Sequence, residues 1–441
     1  MTYSNRDIIR IAFPILVSLL MEQLIGMTDT AFLGRVGEVE LGASAIAGVF
    51  YVVLFMVAFG FSIGAQILIA RRNGEQQYRE IGNLFYQGLY FQMALALILF
   101  LICYLLMPLL LRQIVSSTRV YEAALSYLNA RIFGFFFAFG GLMFRAFFVG
   151  TTQTRTLTLN SILMVLCNVG FNYLLIFGRC GLPALGITGA AIGSSLAEGV
   201  SLIFFIIHTR RHIDLDKYGL RRIPSFCSTV LRRMLNVSLW TMIQNFVSLS
   251  TWFLLFLYIE HLGERPLAIT NIIRNVSGLL FMVMMAFAST CGSLVSNLIG
   301  SGHSEAVRPT IHRHILLGYA FVLPLAALIA LFPDQILSIY TDMPQLRSEA
   351  IPSLYVLCTA YLLLVPANVY FHSVSGTGNT RTALFLELST LVFYVAYITY
   401  IVAIRHCDVA VAWTSEHFYS ICILTLCYLY IRSGRWQGKS I

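Results

Sequence analysis

The sequence predicts an all-α integral membrane protein, a class indicated by its composition and by the length of its apolar segments. Of the 441 residues, 58% are hydrophobic and only 11% are charged, and a soluble chain this apolar could not cover its own surface. The windows 41–70, 81–111 and 275–304 contain no Asp, Glu, Lys or Arg. Each is long enough to cross about 30 Å of hydrocarbon as a helix, and their continuous, non-alternating apolarity excludes a β-barrel.

The uncharged windows and the apolar segments that carry isolated charges together predict twelve membrane-spanning helices. They lie at residues 8–33, 44–70, 82–111, 121–148, 156–178, 184–207, 234–259, 267–298, 314–333, 350–375, 382–404 and 409–431. Of the 29 lysines and arginines, 19 fall on the side of the two termini and 7 in the opposite loops. Because basic loops remain cytoplasmic, we expect a multi-pass protein of the plasma (inner) membrane with both termini in the cytoplasm. The net charge of +9 then reflects topology, and no nucleic-acid partner is predicted.

The chain contains an internal repeat at an offset of 226 residues. GTTQTRT at 150–156 matches GTGNTRT at 376–382. Each copy holds six spans, so we predict two six-helix bundles related by a pseudo-twofold axis along the membrane normal. The predicted domains are the lobes 1–207 and 234–441, joined by a charged cytoplasmic linker at 208–233 that is hinge-like or partly a surface-lying helix.

Carboxylates inside the spans are the candidate functional groups, because an ionised acid at membrane depth is costly and usually faces an ion or proton pathway. There are five of them: Glu22, Asp29, Glu198, Glu387 and Glu416. The last two lie near the ends of their spans and are interpreted as interfacial. Glu22 and Asp29 lie deeper and seven residues apart, which places both on one face of the first helix, about 10 Å from each other. One face of that helix is therefore predicted to be wet.

The duplication provides an internal control for these acids. At the 226 offset Glu22 corresponds to Ser248 and Asp29 to Leu255. Since the second copy keeps the fold without either acid, a purely structural role for them is less favoured, although it stays an alternative.

Polar residues in the fifth span complete the candidate ion site. Asn168 and Asn172 are four residues apart and share a helix face. Amide and carboxylate oxygens are hard ligands for a small cation, and the same groups can hydrogen-bond a protonated acid. Their equivalents in the second copy are Tyr394 and Ile398, so this chemistry is assigned to the first lobe. Glu198 in the sixth span either joins the site or forms a structural hydrogen bond between helices.

The chain resembles the multidrug and toxic compound extrusion (MATE) transporters over essentially its whole length. The segments that carry the resemblance are MTDTAFLGRVG in the first span, the GTTQTRT and GTGNTRT loops, and the CNVGFN and GITGAA runs. The resemblance implies a twelve-helix antiporter that expels bulky, often cationic or aromatic compounds in exchange for H⁺ or Na⁺.

The resemblance also implies roles for individual residues. Asp29 takes the position of the usual coupling acid, and Asn168 a position linked to it, while Asn172 stands where some archaeal members have aspartate. Sodium-coupled members carry acids in spans 7 and 10, whereas this chain has Gln244 and Asn245 in span 7 and no carboxylate in either. Coupling through the first lobe alone is therefore expected, and Glu22, Glu198, Gln244 and Asn245 are candidates for additional coupling or substrate contacts.

The predicted function is cation-coupled multidrug efflux by alternating access, with small xenobiotic substrates, no cofactor beyond the coupling ion, and a monomeric state. The alternative within transporters is a flippase for a lipid-linked saccharide, which would need a basic cavity for pyrophosphate. An enzyme is not predicted, because the clustered histidines His303, His312 and His314 are expected in a cytoplasmic loop and not in a zinc site.

Overall fold

A computed structural model describes residues 3–438, and every regular element among them is helical. The helices are α1 (Asn5–Val36), α2 (Glu38–Gly74), α3 (Tyr78–Ile114), α4 (Thr118–Arg131), α5 (Gly134–Gly150), α6 (Arg155–Phe177), α7 (Gly186–His212), α8 (Ser228–Glu260), α9 (Glu264–Gly300), α10 (Val307–Leu331), α11 (Pro333–Ser338), α12 (Pro344–Gly376), α13 (Thr380–Ile398), α14 (Val409–Trp413) and α15 (Ser415–Ser433). A 3₁₀ turn at Ser304–Ala306 precedes α10, and a π-helix at Thr399–Ile404 extends α13.

The spans follow the prediction closely, which confirms the all-α membrane fold. Within residues 3–438, eleven helical segments are long and apolar enough to cross a bilayer, and the bent pair α4 and α5 brings the number to twelve. That pair, predicted as one continuous span, is broken between Arg131 and Gly134 and bent by 49°. Several helices extend a few residues beyond the predicted spans, for example α3, whose 37 residues extend to about 55 Å.

The chain divides into two compact units. One consists of Val17–Met242, and the other joins the start of the chain, through Leu16, to the chain from Ile243 onward. The two boundaries therefore fall inside α1 and α8, whereas the predicted domain limits lie in the linker. Within the first unit, α6 and α7 form an antiparallel pair; within the second, α12 packs on α9, α10 and α15.

The segment between α7 and α8 is held against α3 by side-chain hydrogen bonds. Tyr86 and Tyr90, one turn apart on α3, each donate to a carbonyl of this segment at 2.7 Å. The fully buried Gln87 binds the same segment twice, donating at 2.8 Å and accepting from a backbone N–H at 2.9 Å. These bonds fasten the linker to the first unit.

The histidine prediction was partly wrong. His312 and His314 belong to α10, and His314 is fully buried. Its Nδ1 lies 2.7 Å from the carbonyl of Thr310 in the preceding turn. His314 is therefore a buried residue of α10 and does not lie in a solvated loop.

Candidate functional site

The candidate site depends on the close packing of α6 against α7, which small residues permit. Gly178 ends α6 with a left-handed φ of 66°, and this sharp turn returns the chain antiparallel. On α7, a Cβ at Gly189 would lie 2.5 Å from the carbonyl oxygen of Leu175, and one at Gly193 would lie 2.3 Å from Oδ1 of Asn172. Glycines four residues apart thus bring the two helix backbones together.

This packing assembles a polar cluster from α1, α6 and α7, formed by Asp29, Asn168, Asn172 and Ser194. Both asparagines are fully buried, as their shared face predicts. Nδ2 of Asn172 donates to Oδ1 of Asp29 at 2.5 Å and to Oδ1 of Asn168 at 3.2 Å. The Ser194 hydroxyl donates to Oδ2 of Asp29 at 3.2 Å and accepts from Nδ2 of Asn168 at 3.1 Å. These four side chains therefore form a closed ring of hydrogen bonds that includes the Asp29 carboxylate.

Asp29 receives only neutral hydrogen-bond donors in this cluster. It is half-buried, and the ion pairs formed among residues 3–438 do not include it. Two neutral donors offset only part of the cost of removing a carboxylate from water. The site is therefore suited to take up a proton or a monovalent cation.

Asn172 has one polar atom that the cluster leaves unused. Its Oδ1 is buried without a hydrogen-bond partner among the described residues, and buried polar atoms of this kind call for an explanation. Rotation of the amide by 180° would present Oδ1 to Asp29, where it can accept the proton of a neutral carboxyl group or contribute to a cation site. The carboxylate, two amide oxygens and one hydroxyl are the kinds of oxygen that Na⁺ binds.

A buried ion pair adjoins this cluster on the same α7 face. Arg131 donates to the two carboxylate oxygens of Glu198 at 2.6 and 2.8 Å, and its guanidinium stacks 4.0 Å from the ring centre of Tyr51. A Cβ at Gly134 would lie 2.5 Å from Arg131 and 2.6 Å from Glu198. The break between α4 and α5 therefore provides the space for this pair. Arg131 also attracts Asp29 through space.

The other predicted residues do not join the Asp29 cluster. Glu22 is half-exposed at 50% and pairs with Arg145 at 3.3 Å. Glu198 forms an ion pair with Arg131. Gln244 and Asn245 lie on α8, in the other compact unit, and both are half-buried.

Two residues that contribute to the site were not predicted from the sequence. Ser194 was not singled out, because a serine among small residues has no distinctive pattern; its position one turn before Glu198 was the only available signal. Arg131 is a lone charge inside the fourth predicted span, but its pairing with Glu198 joins residues 67 apart and depends on the break in that span. Both are consequences of tertiary packing.

Comparisons with known proteins agree with this architecture. Residues 14–174 and 241–401 each match the MatE family model. The chain is 26% identical over 449 residues to the probable multidrug resistance protein NorM of Thermotoga maritima, covering 99% of this chain and 94% of that protein. It is 23% identical over 406 residues to the multidrug resistance protein MdtK of Photorhabdus laumondii, covering 90% and 85%.

Solved structures show the same fold. An outward-facing multidrug resistance MATE family transporter of the MOP superfamily superposes with a TM-score of 0.89 at 18% identity, covering 97% of this chain and 95% of that one. The eukaryotic MATE transporter AtDTX14 superposes with a TM-score of 0.87 at 15% identity, covering 98% and 96%.

Proposed function

The chain belongs to the MATE family, and on that premise we propose that it is a multidrug efflux antiporter driven by H⁺ or Na⁺. Its substrates are bulky, often cationic or aromatic compounds, which it exports by alternating access. We place it in the plasma (inner) membrane as a monomer with both termini cytoplasmic. The names of the relatives support the substrate class, and the excess of basic residues on one side supports the orientation.

The Asp29 cluster is the observation that carries this proposal. Neutralising a carboxylate that forms no ion pair removes several kcal/mol of desolvation cost. Two arrangements of a helix bundle that differ by a similar free energy can then exchange populations when the ion binds. A cation that moves inward down the membrane potential adds about 2.3 kcal/mol per charge per 100 mV. Ion binding at Asp29 is therefore able to drive export without ATP.

A groove on the second unit suits part of the proposed substrate class. It has a volume of about 450 Å³, and Phe253, Phe256 and Glu260 of α8 line it together with leucines. Aromatic rings and one carboxylate complement a cationic aromatic compound. The flippase alternative is less favoured, because two of the arginines inside the predicted spans, Arg131 and Arg145, are paired with acids, which leaves Arg274 to hold pyrophosphate.

Transport in proteoliposomes tests the assignment. A pH gradient and a sodium gradient, imposed separately, should show which ion drives export of a fluorescent cationic dye. Asp29→Asn should abolish gradient-driven export, because the amide can neither take up a proton nor neutralise a cation. The matched control is Asp216→Asn, a change in the linker at a carboxylate that is 71% exposed, which should transport normally. Normal export by Asp29→Asn under both gradients would refute the coupling role.

A further inference from the structure

Glu387 on α13 is a second carboxylate buried within the spans, in the compact unit that does not contain Asp29. Its residue exposure is 2%, so protein encloses its side chain on all sides, whereas its position near the membrane interface stays a prediction. The Ser248 hydroxyl on α8 donates to its Oε1 at 2.7 Å. The Tyr419 hydroxyl on α15 lies 2.9 Å from both carboxyl oxygens. Three helices therefore converge on one carboxyl group.

No basic side chain compensates the charge of this group. The ion pairs formed within the described chain, residues 3–438, leave Glu387 out. The titratable side chains on which Glu387 acts through space are Tyr419 and Cys427, which both belong to α15 and are both neutral at physiological pH. Ser248, its contact on α8, does not titrate. The site thus offers hydrogen bonds but no counter-charge.

The hydrogen bonds are better satisfied by a neutral carboxyl group than by a carboxylate. Tyr419 has a single hydroxyl proton, yet its oxygen is equally close to Oε1 and Oε2 of Glu387. A carboxylic acid resolves this arrangement, because Tyr419 donates to one oxygen while the acid proton on the other oxygen is donated back to Tyr419. An uncompensated carboxylate at this depth would instead cost several kcal/mol.

Polar groups continue from Glu387 along α13 and α15. Tyr394 lies two turns further along α13 on the same face and is 3% exposed, and its hydroxyl interacts with the hydroxyl of Ser415, the first residue of α15. Glu416, in the first turn of α15, acts on both Tyr394 and Tyr419 through space. Buried polar and titratable side chains in a row of this kind are suited to pass a proton along them.

We propose that Glu387 is a second, reversible proton-binding site, located outside the Asp29 cluster and reached along the polar groups that lead to Glu416. A hydronium ion transfers its proton to one carboxylate oxygen of Glu387 to give the neutral acid and water, and release reverses this step without any change of oxidation state. The site suits Na⁺ less well, because among residues 3–438 the hydrogen bonds to the Glu387 carboxyl group come from two hydroxyl oxygens, those of Ser248 and Tyr419. The contribution to transport rests on the proposed antiport, whereas proton binding itself does not.

Infrared difference spectroscopy of the full-length, substrate-free protein in lipid nanodiscs tests proton binding directly. Between about pH 5 and about pH 9, the wild type should show a carboxylic acid C=O band that disappears on titration. Glu387→Gln should lack this band and Asp29→Asn should retain it, so failure of the Asp29 assignment does not affect the result. Glu349→Gln, which changes a half-exposed acid of the same unit (50%), is the matched control and should retain the band.

Two further variants keep the test decisive if Glu387→Gln does not fold. Ser248→Ala removes one hydrogen bond to Glu387 and Tyr419→Phe removes both contacts of the Tyr419 hydroxyl, and each should move the band to higher wavenumber without abolishing it. In proteoliposomes, Glu387→Gln should lower the number of protons exchanged per substrate. Absence of a Glu387 band at every pH would mean that the group is always ionised, and a band that persists at every pH would mean a permanently protonated structural acid. Either result would overturn the proposal.

Discussion

Glu198→Gln is expected to destabilise the protein by about 3–5 kcal/mol, because it leaves the Arg131 guanidinium buried without a counter-charge. The two side chains are only 10% and 11% exposed, so water replaces little of the lost interaction. The bidentate contact at 2.6 and 2.8 Å also loses one acceptor, since the amide of Gln has a single oxygen. Surface ion pairs in the same chain offer a comparison. Glu349→Gln, whose pair with Arg265 is 42–50% exposed, should cost no more than about 1 kcal/mol.

The same substitution should change the pH dependence of transport. Arg131 already attracts Asp29 through space, and Glu198 offsets part of its charge. With a neutral Gln at 198 the full positive charge acts on Asp29 and favours its ionised form, so proton uptake requires a lower external pH. The rate profile of proton-driven export should therefore move to more acidic pH.

Equilibrium unfolding in mixed detergent micelles measures the stability change, and dye export by proteoliposomes measures the pH profile. Arg131→Met combined with Glu198→Gln serves as the control, because it removes both charges and should recover most of the stability. If Glu198→Gln unfolds within about 1 kcal/mol of the wild type and its pH profile is unchanged, the reasoning that this pair is buried and acts on Asp29 is refuted.

The remaining predictions concern the packing that positions the site and the linker. Gly193→Ala places a Cβ 2.3 Å from Oδ1 of Asn172 and should displace the Asn172 amide from Asp29. Ion-driven export should then fall about tenfold, because the loss of one hydrogen bond to a charged group costs about that much. Gly170→Ala on α6 is the control, since nothing lies within 4 Å of its Cβ, and it should leave export unchanged. Gln87→Leu removes two buried bonds to the linker backbone at a cost of about 1–3 kcal/mol and should accelerate tryptic cleavage of the linker. The exposed change Gln335→Leu should leave cleavage unaffected, and equal cleavage of both variants would contradict the proposed fastening of the linker.

Much of the fold could be predicted because lipid imposes strong constraints on a sequence. An uncharged segment of twenty or more residues has few structures open to it in hydrocarbon, so the number of spans follows from the positions of charges. The fourth span shows where this reasoning ends. Its break is not marked by proline; it accompanies the pairing of Arg131 with a glutamate on α7, which hydropathy does not reveal.

The candidate site was partly predictable for a similar reason. Asn168 and Asn172 share a helix face through their spacing of four residues, and the structure places both beside Asp29. The burial of Glu387 could not be predicted in this way, because a position along one span does not show what packs around a side chain. It results from the approach of Ser248 and Tyr419 on two other helices.

The sequence by itself determined the membrane class, the duplication and the helix faces that carry polar groups, because these depend on composition and on periods of a few residues along one chain. The tertiary structure alone decided which acids pair with arginines and which meet only neutral donors. Glu22 and Glu198 have arginine partners 123 and 67 residues away, whereas Asp29 and Glu387 have none among the described residues. The charge state of a buried acid depends on its neighbours in space, and those neighbours are chosen by helix packing.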